Sequence, residues 1–189
     1  DDLVERVSLA KAQGQMPDDP RRPDPRHNDP WIGPNMHAVN QHVIKPVTAA
    51  AGGMSWALMR HPEGAPIDFF CTHAWHEGLF EFHRKVSASW PTGQRYMWFC
   101  CLANPQTWSR QELAALLAGD PLRDSPFAQA IVHAKGLLAV PNSTVSIYTR
   151  LWCVAEAKIA TDHCIPIIVA TEAAQQSSGS EAAAVQLPM

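Results

Sequence analysis

The 189-residue chain reads as an α/β domain built on a parallel sheet. Three observations predict this. Short apolar runs recur from residue 67 onward, stretches with helical spacing separate them, and the runs are apolar nearly throughout instead of alternating. A strand covered on both faces has that continuous pattern. Strands alternating with helices imply βαβ crossovers within one sheet.

The elements follow in order. Residues 1–34 are expected to lack fixed structure, because Pro17, Pro20, Pro23, Pro25, Pro30 and Pro34 alternate there with Asp, Arg and Asn and no helix or central strand persists through such a run. Residues 35–66 read as an N-terminal helical extension. Asn35 is a candidate N-cap, Met36, Val39 and Val43 share a face, and Pro46 restarts a second segment that Gly52 and Gly53 weaken. The α/β domain is expected over 67–170. It opens on a strand at 67–71 (IDFFC), followed by a helix at 77–89 with Leu79, Phe82 and Val86 on one face, and a second strand at 95–102 (RYMWFCCL). Helices at 109–117 and 126–134, a strand at 136–141 (GLLAVP), a helix at 147–163 and a strand at 164–170 (CIPIIVA) complete it. Residues 171–189, rich in Ala, Gln and Ser, form a low-complexity tail. The predicted architecture is a three-layer, flavodoxin-like sandwich with a sheet of four to five strands plus the N-terminal helices.

Composition narrows the function. Hydrophobic residues make up 46% of the chain and the net charge is −3, so a packed core is expected, and neither nucleic acid nor an anionic membrane has a basic patch to bind. No apolar run reaches the ~18 residues that span a bilayer, and no signal peptide opens the chain, so a cytoplasmic location is expected. The chain begins at Asp1, as a piece of a longer protein would. The five cysteines lie in apolar stretches and read as small hydrophobes of a reducing compartment.

Topology points to a site before any motif does. In open parallel sheets, ligands bind beyond the carboxyl ends of the strands, where the strand order reverses. The loops expected there carry His73, Trp75, His76 and Glu77 (THAWHEG), Asn142, Ser143 and Arg150 (NSTVSIYTR), and Asn104 and Gln106 (ANPQTW). These loops are rich in reactive or hydrogen-bonding side chains and converge on one rim, as a ligand site would. His73, His76, His83 and Cys71 share no ligand spacing, so no metal site is expected. A Cys–His nucleophile would pair Cys153 or Cys71 with His73, but their apolar flanks favour inert thiols.

Glu156 is the carboxylate of interest. Its helical neighbours at three and four positions are Trp152, Cys153, Ile159 and Ala160, all apolar, so a partly dry setting with a raised pKa is expected. The competing reading pairs Glu156 with Lys158 or Arg150 at the edge of a packed face.

Trp152, Cys153 and Glu156 form a "WCxxE" that resembles plant-type TIR domains. The phrases at 72–82 (THAWHEGLFEF), 103–106 (ANPQ), 125–130 (SPFAQA) and 140–157 (VPNSTVSIYTRLWCVAEA) resemble more closely a TIR-like family abundant in dinoflagellate algae. That resemblance implies cleavage of the nicotinamide–ribose bond of NAD with Glu156 as the catalytic carboxylate, and self-association. NAD would be the substrate, with no separate cofactor. Trp75 or Trp152 would stack on a base and Arg150 would hold a phosphate. Two departures stand out: TIR domains add a fifth strand and closing helix after the fourth strand, and the loop after the second strand lacks their glycine-rich character. A non-enzymatic TIR-like interaction module and a nucleoside deoxyribosyltransferase-like enzyme are the alternatives.

Overall fold

The computed structural model describes residues 1–20, 23–116, 118–120, 123–143 and 145–172. The chain starts with helix α1 (Asp2–Ala12), whose Leu3 and Val7 are buried one turn apart. A continuous helical stretch follows. Asn35 caps α2 (Met36–Val39) by accepting a hydrogen bond from the Ala38 N–H, a wide π turn covers Asn40–Ile44, and α3 (Lys45–Ala50) continues it. The π turn sits where Pro46 can neither donate a backbone hydrogen bond nor tolerate the carbonyl one turn earlier, so the widened turn lets the helix carry on. Ser55 caps the short α4 (Trp56–Arg60).

The sheet then forms. β1 (Phe69–Thr72), α5 (Leu79–Ser89), β2 (Met97–Phe99), α6 (Cys100–Ala103), α7 (Arg110–Leu116), α8 (Pro126–His133), β3 (Gly136–Ala139), α9 (Leu151–Asp162) and β4 (Ile167–Val169) follow in order. All strand pairs are parallel, and the order is β2-β1-β3-β4. The fold is thus the α/β, flavodoxin-like three-layer arrangement that the alternation of runs predicts. Strand alternation divides the interior in two. Phe69, Cys71, Leu138 and Val140 face a core shared with α1, α2 and α5, whereas Phe70, Leu137 and Ala139 face α8 and α9. Among the described residues no helix is long and apolar enough to cross a membrane.

Several boundaries differ from the sequence reading. Residues 1–34 are not structureless where described. Besides α1, Met16, Asp24 and His27 are buried, and aspartates build the turns that the prolines permit. Asp18 accepts the Asp24 N–H at 2.9 Å, Asp24 accepts the Arg26 N–H at 3.0 Å, and Asp29 accepts the Ile32 N–H at 3.0 Å. Short acidic side chains that bond backbone N–H groups a few residues away order such segments without helix or strand. The extension at 35–66 is likewise no separate unit, since Met36, Val39, Ile44 and Trp56 belong to the same core as Phe69 and Leu138.

The second strand ends at Phe99, three residues early, because Cys100–Ala103 turns helical while its Cys101 stays buried; an apolar run alone does not separate these outcomes. The expected helix at 147–163 is broken. A 3-10 turn (Ile147–Thr149) precedes an extended Arg150, and α9 starts after it. Helix α5 begins only after Gly78, which packs so tightly that a Cβ there would lie 2.0 Å from the Ile32 carbonyl oxygen. The tail expected at 171–189 lies outside the described residues from 173 onward.

Candidate functional site

The chain order reverses at β1, which has β2 on one side and β3 on the other. A pocket of about 310 Å³ opens beyond the carboxyl ends of β1 and β2, a volume within the range of small-molecule sites. His73 and Trp75 reach it from the loop after β1, Asn104, Gln106 and Trp108 from the segment after α6, and Arg150, Trp152 and Glu156 from the start of α9.

Glu156 is 6% exposed. The Thr72 hydroxyl at the end of β1 donates to its Oε2 at 2.5 Å. Neither expected cation takes it: Lys158 pairs with Asp162 at 2.8 Å. Burial pushes the Glu156 carboxyl up to about 8, with the Thr72 hydrogen bond acting in the opposite direction. The carboxyl therefore sits near neutrality, as suits a group that exchanges a proton in a reaction.

The walls are aromatic. Trp152 is 42% exposed and stacks on Phe127 with ring centroids 5.4 Å apart. Arg150 occupies the residue before α9 and has no ion-pair partner among the described residues. Gln106 is already committed. Its Nε2 donates to the carbonyls of Cys100 at 3.2 Å and Asn104 at 2.9 Å, while its Oε1 accepts from Asn40 at 3.2 Å. It shapes the loop that presents Asn104.

Three residues read as ligand contacts stand elsewhere. Asn142 lies outside the pocket and accepts the Val145 N–H at 2.8 Å, closing its own turn. Ser143 donates its backbone N–H and its hydroxyl to the two oxygens of Glu81, at 2.9 and 3.0 Å. Glu81 is buried and also accepts from Lys85 at 2.7 Å; a buried carboxylate requires such partners, so the loop after β3 is drawn to α5 and away from the pocket. Glu77 is fully buried behind His73, its Oε1 2.6 Å from His73 Nδ1. The pocket therefore brings His73 and Glu156 together and leaves Asn142 out.

The sequence reading missed Thr72, Trp108 and Cys100. Thr72 lacked a signal because its partner is 84 positions away. Cys100 was concealed in an apolar run, yet it, and neither Cys71 nor Cys153, approaches the His73 ring: Cys100 Sγ lies 3.1 Å from His73 Nε2. Burial would lower the His73 pKa, but the Cys100 thiol and Glu77 carboxylate outweigh it and hold the imidazole well above its ordinary value. The Cys101 hydrogen bond and His73 hold the Cys100 thiol well below its own. Cys153 donates to the His73 carbonyl at 3.3 Å and ties α9 to the loop after β1. Cys164 is exposed and Cys100 half-buried, contrary to the reading of all five as small core hydrophobes.

Comparison with known protein families, with curated proteins and with solved structures finds no match. What the coordinates define is a class: an α/β protein with a ligand-sized crevice at the switch point of a parallel sheet, with a buried acid in its wall.

Proposed function

We propose that the pocket binds a nucleotide-type ligand and that Glu156 serves cleavage of its N-glycosidic bond, with the nicotinamide–ribose bond of NAD as the substrate bond. The observation that carries this reading is Glu156 itself, a carboxyl nine-tenths buried, bonded by Thr72 and set in a pocket walled by Trp75, Trp108 and Trp152. Cleavage of such a bond builds positive charge on the sugar, and one carboxylate stabilises that charge or activates the attacking water. The nicotinamide ring of NAD is cationic, so its arrival favours the ionised form of a carboxyl whose pKa is about 8. An indole supplies a stacking face for a base, and Arg150, without an ion-pair partner among the described residues, suits the diphosphate through parallel N–H bonds. The resemblance of Trp152, Cys153 and Glu156 to the TIR motif supports the same assignment.

Incubating the purified chain with NAD and quantifying free nicotinamide tests this directly. A deoxyribosyltransferase-like activity would instead release free base from a nucleoside in the same assay format. The interaction-module reading draws on a different observation, the exposed Ile167 and Val169 of β4, an edge strand among the described residues. Such an edge offers unpaired backbone groups to another chain, and self-association there would show in sedimentation as a concentration-dependent mass.

A further inference from the structure

We propose that His73, Cys100 and Cys101 form a binding site for a thiophilic divalent metal ion of the zinc class, at the boundary between the pocket and the core. The donor atoms form a compact triangle. His73 Nε2 lies 3.1 Å from Cys100 Sγ and 3.9 Å from Cys101 Sγ, and the two sulfurs are 3.9 Å apart. Tetrahedral zinc with its usual bond lengths places two sulfurs about 3.8 Å apart and sulfur and nitrogen about 3.6 Å apart. The observed edges bracket those of one face of that tetrahedron. Among the described residues this is the group of His, Cys, Asp and Glu side chains whose donor atoms converge in this way.

The local fold explains how neighbouring cysteines meet. On a strand, side chains of successive residues point to opposite faces. β2 stops at Phe99 and Cys100 opens a helical turn, so both thiols can reach the ring at the end of β1. Behind the ring stands Glu77, with Oε1 2.6 Å from Nδ1. A carboxylate on Nδ1 leaves Nε2 as the ligating nitrogen and orients the ring, the usual arrangement behind a metal-bound histidine. Glu77 is fully buried and its Oε2 has no hydrogen-bond partner among the described residues. A dication on the far side of the ring compensates that buried negative charge.

A thiol nucleophile relayed through His73 to Glu77 would use the same atoms except one. It has no need of the buried Cys101 sulfur at 3.9 Å from both partners, and that atom favours the metal. Two thiols lose their protons to solvent as two metal–sulfur bonds form. Cys100 and His73 line the pocket, so the fourth coordination position is open to water or ligand on the side where Glu156 stands. The site is independent of NAD cleavage, and its test reads no nicotinamide.

The full chain, purified under reducing conditions, is to be titrated with zinc and with cobalt(II). The expected result is one metal per chain, with thiolate-to-cobalt charge transfer and the intense red absorption of tetrahedral cobalt. Cys100→Ser and Cys101→Ser should each abolish the charge-transfer pattern of the parent, Glu77→Gln should weaken binding ~10- to 100-fold, and Cys164→Ser should change nothing. Circular dichroism checks that each variant is folded, and the parent titration stands without them. Absence of stoichiometric binding by the folded parent would overturn the proposal, as would undiminished binding by folded Cys101→Ser. Alkylation of Cys100 at an unchanged rate in the presence of zinc would overturn it too, and would assign the thiol to nucleophilic chemistry instead.

Discussion

Thr72 Oγ1 lies 2.5 Å from Glu156 Oε2 and joins the end of the first strand to the last helix across 84 positions of sequence. Both residues are buried. Thr72→Val keeps the shape but removes the donor, leaving the carboxyl without its hydrogen-bond partner. A buried polar group left unsatisfied costs about 1–3 kcal/mol. The variant should lose that much in urea unfolding at neutral pH; an unchanged midpoint would mean that the two residues are adjacent but not coupled.

The titration of Glu156 gives a pH signature. Its folded pKa is about 8 against an ordinary 4.5, with Thr72, Cys100 and His73 as the groups acting on it from facing elements. Between those values the folded chain holds a proton that the unfolded chain has released, so this group's contribution makes stability fall as pH rises through the window. Glu156→Gln removes the contribution. The stability difference between variant and parent should therefore move in the variant's favour between pH 5 and pH 9, and a difference independent of pH would contradict the raised pKa.

The N-terminal segment is predicted to be part of the folding unit. Gly78 has an ordinary φ of −78°, so its role is steric: a Cβ would meet the Ile32 carbonyl at 2.0 Å. Gly78→Ala should destabilise by about 1–3 kcal/mol, the range for overpacking, read as a lowered denaturant midpoint. A neutral substitution would show that residues near Ile32 do not dock on α5 in solution.

Much of this was legible in the sequence. Parallel strands announce themselves as runs such as 136–139, apolar at every position because both faces are covered, and the apolar neighbours of Glu156 foretold its burial. What was hidden depended on partners distant in the chain. Asn142 and Ser143 have the right chemistry for a ligand, but Glu81 and the turn consume it. Asp18, Asp24 and Asp29 give no apolar period, yet they fold a proline-rich segment through side-chain-to-backbone bonds. Cys100 and Cys101 read as strand interior, because hydrophobicity does not reveal where a strand turns into a helix.

Two pocket residues should affect binding more than turnover. Arg150→Lys loses the parallel N–H pair that suits a diphosphate, and Trp152→Ala removes a stacking face. Each is expected to raise KM for NAD about 5- to 50-fold with kcat nearly unchanged, since contacts equal in ground and transition states act on KM alone. Steady-state kinetics would separate this from a loss confined to kcat, which would place the residue at the reacting atoms.

Glu156 is the residue proposed to carry the reaction, and nicotinamide release by Glu156→Gln beside the parent decides whether it does. Glutamine keeps the size and can still accept from Thr72, but it cannot bear the charge that stabilises a sugar cation or activates water. The parent is expected to release nicotinamide from NAD. The variant should fold and bind NAD with similar affinity, yet turn over ~100-fold or more slowly, the scale on which a reacting acid–base group acts. Equal rates for parent and variant would contradict a catalytic role for Glu156, as would a folded parent that binds no NAD and releases no nicotinamide even at high protein concentration.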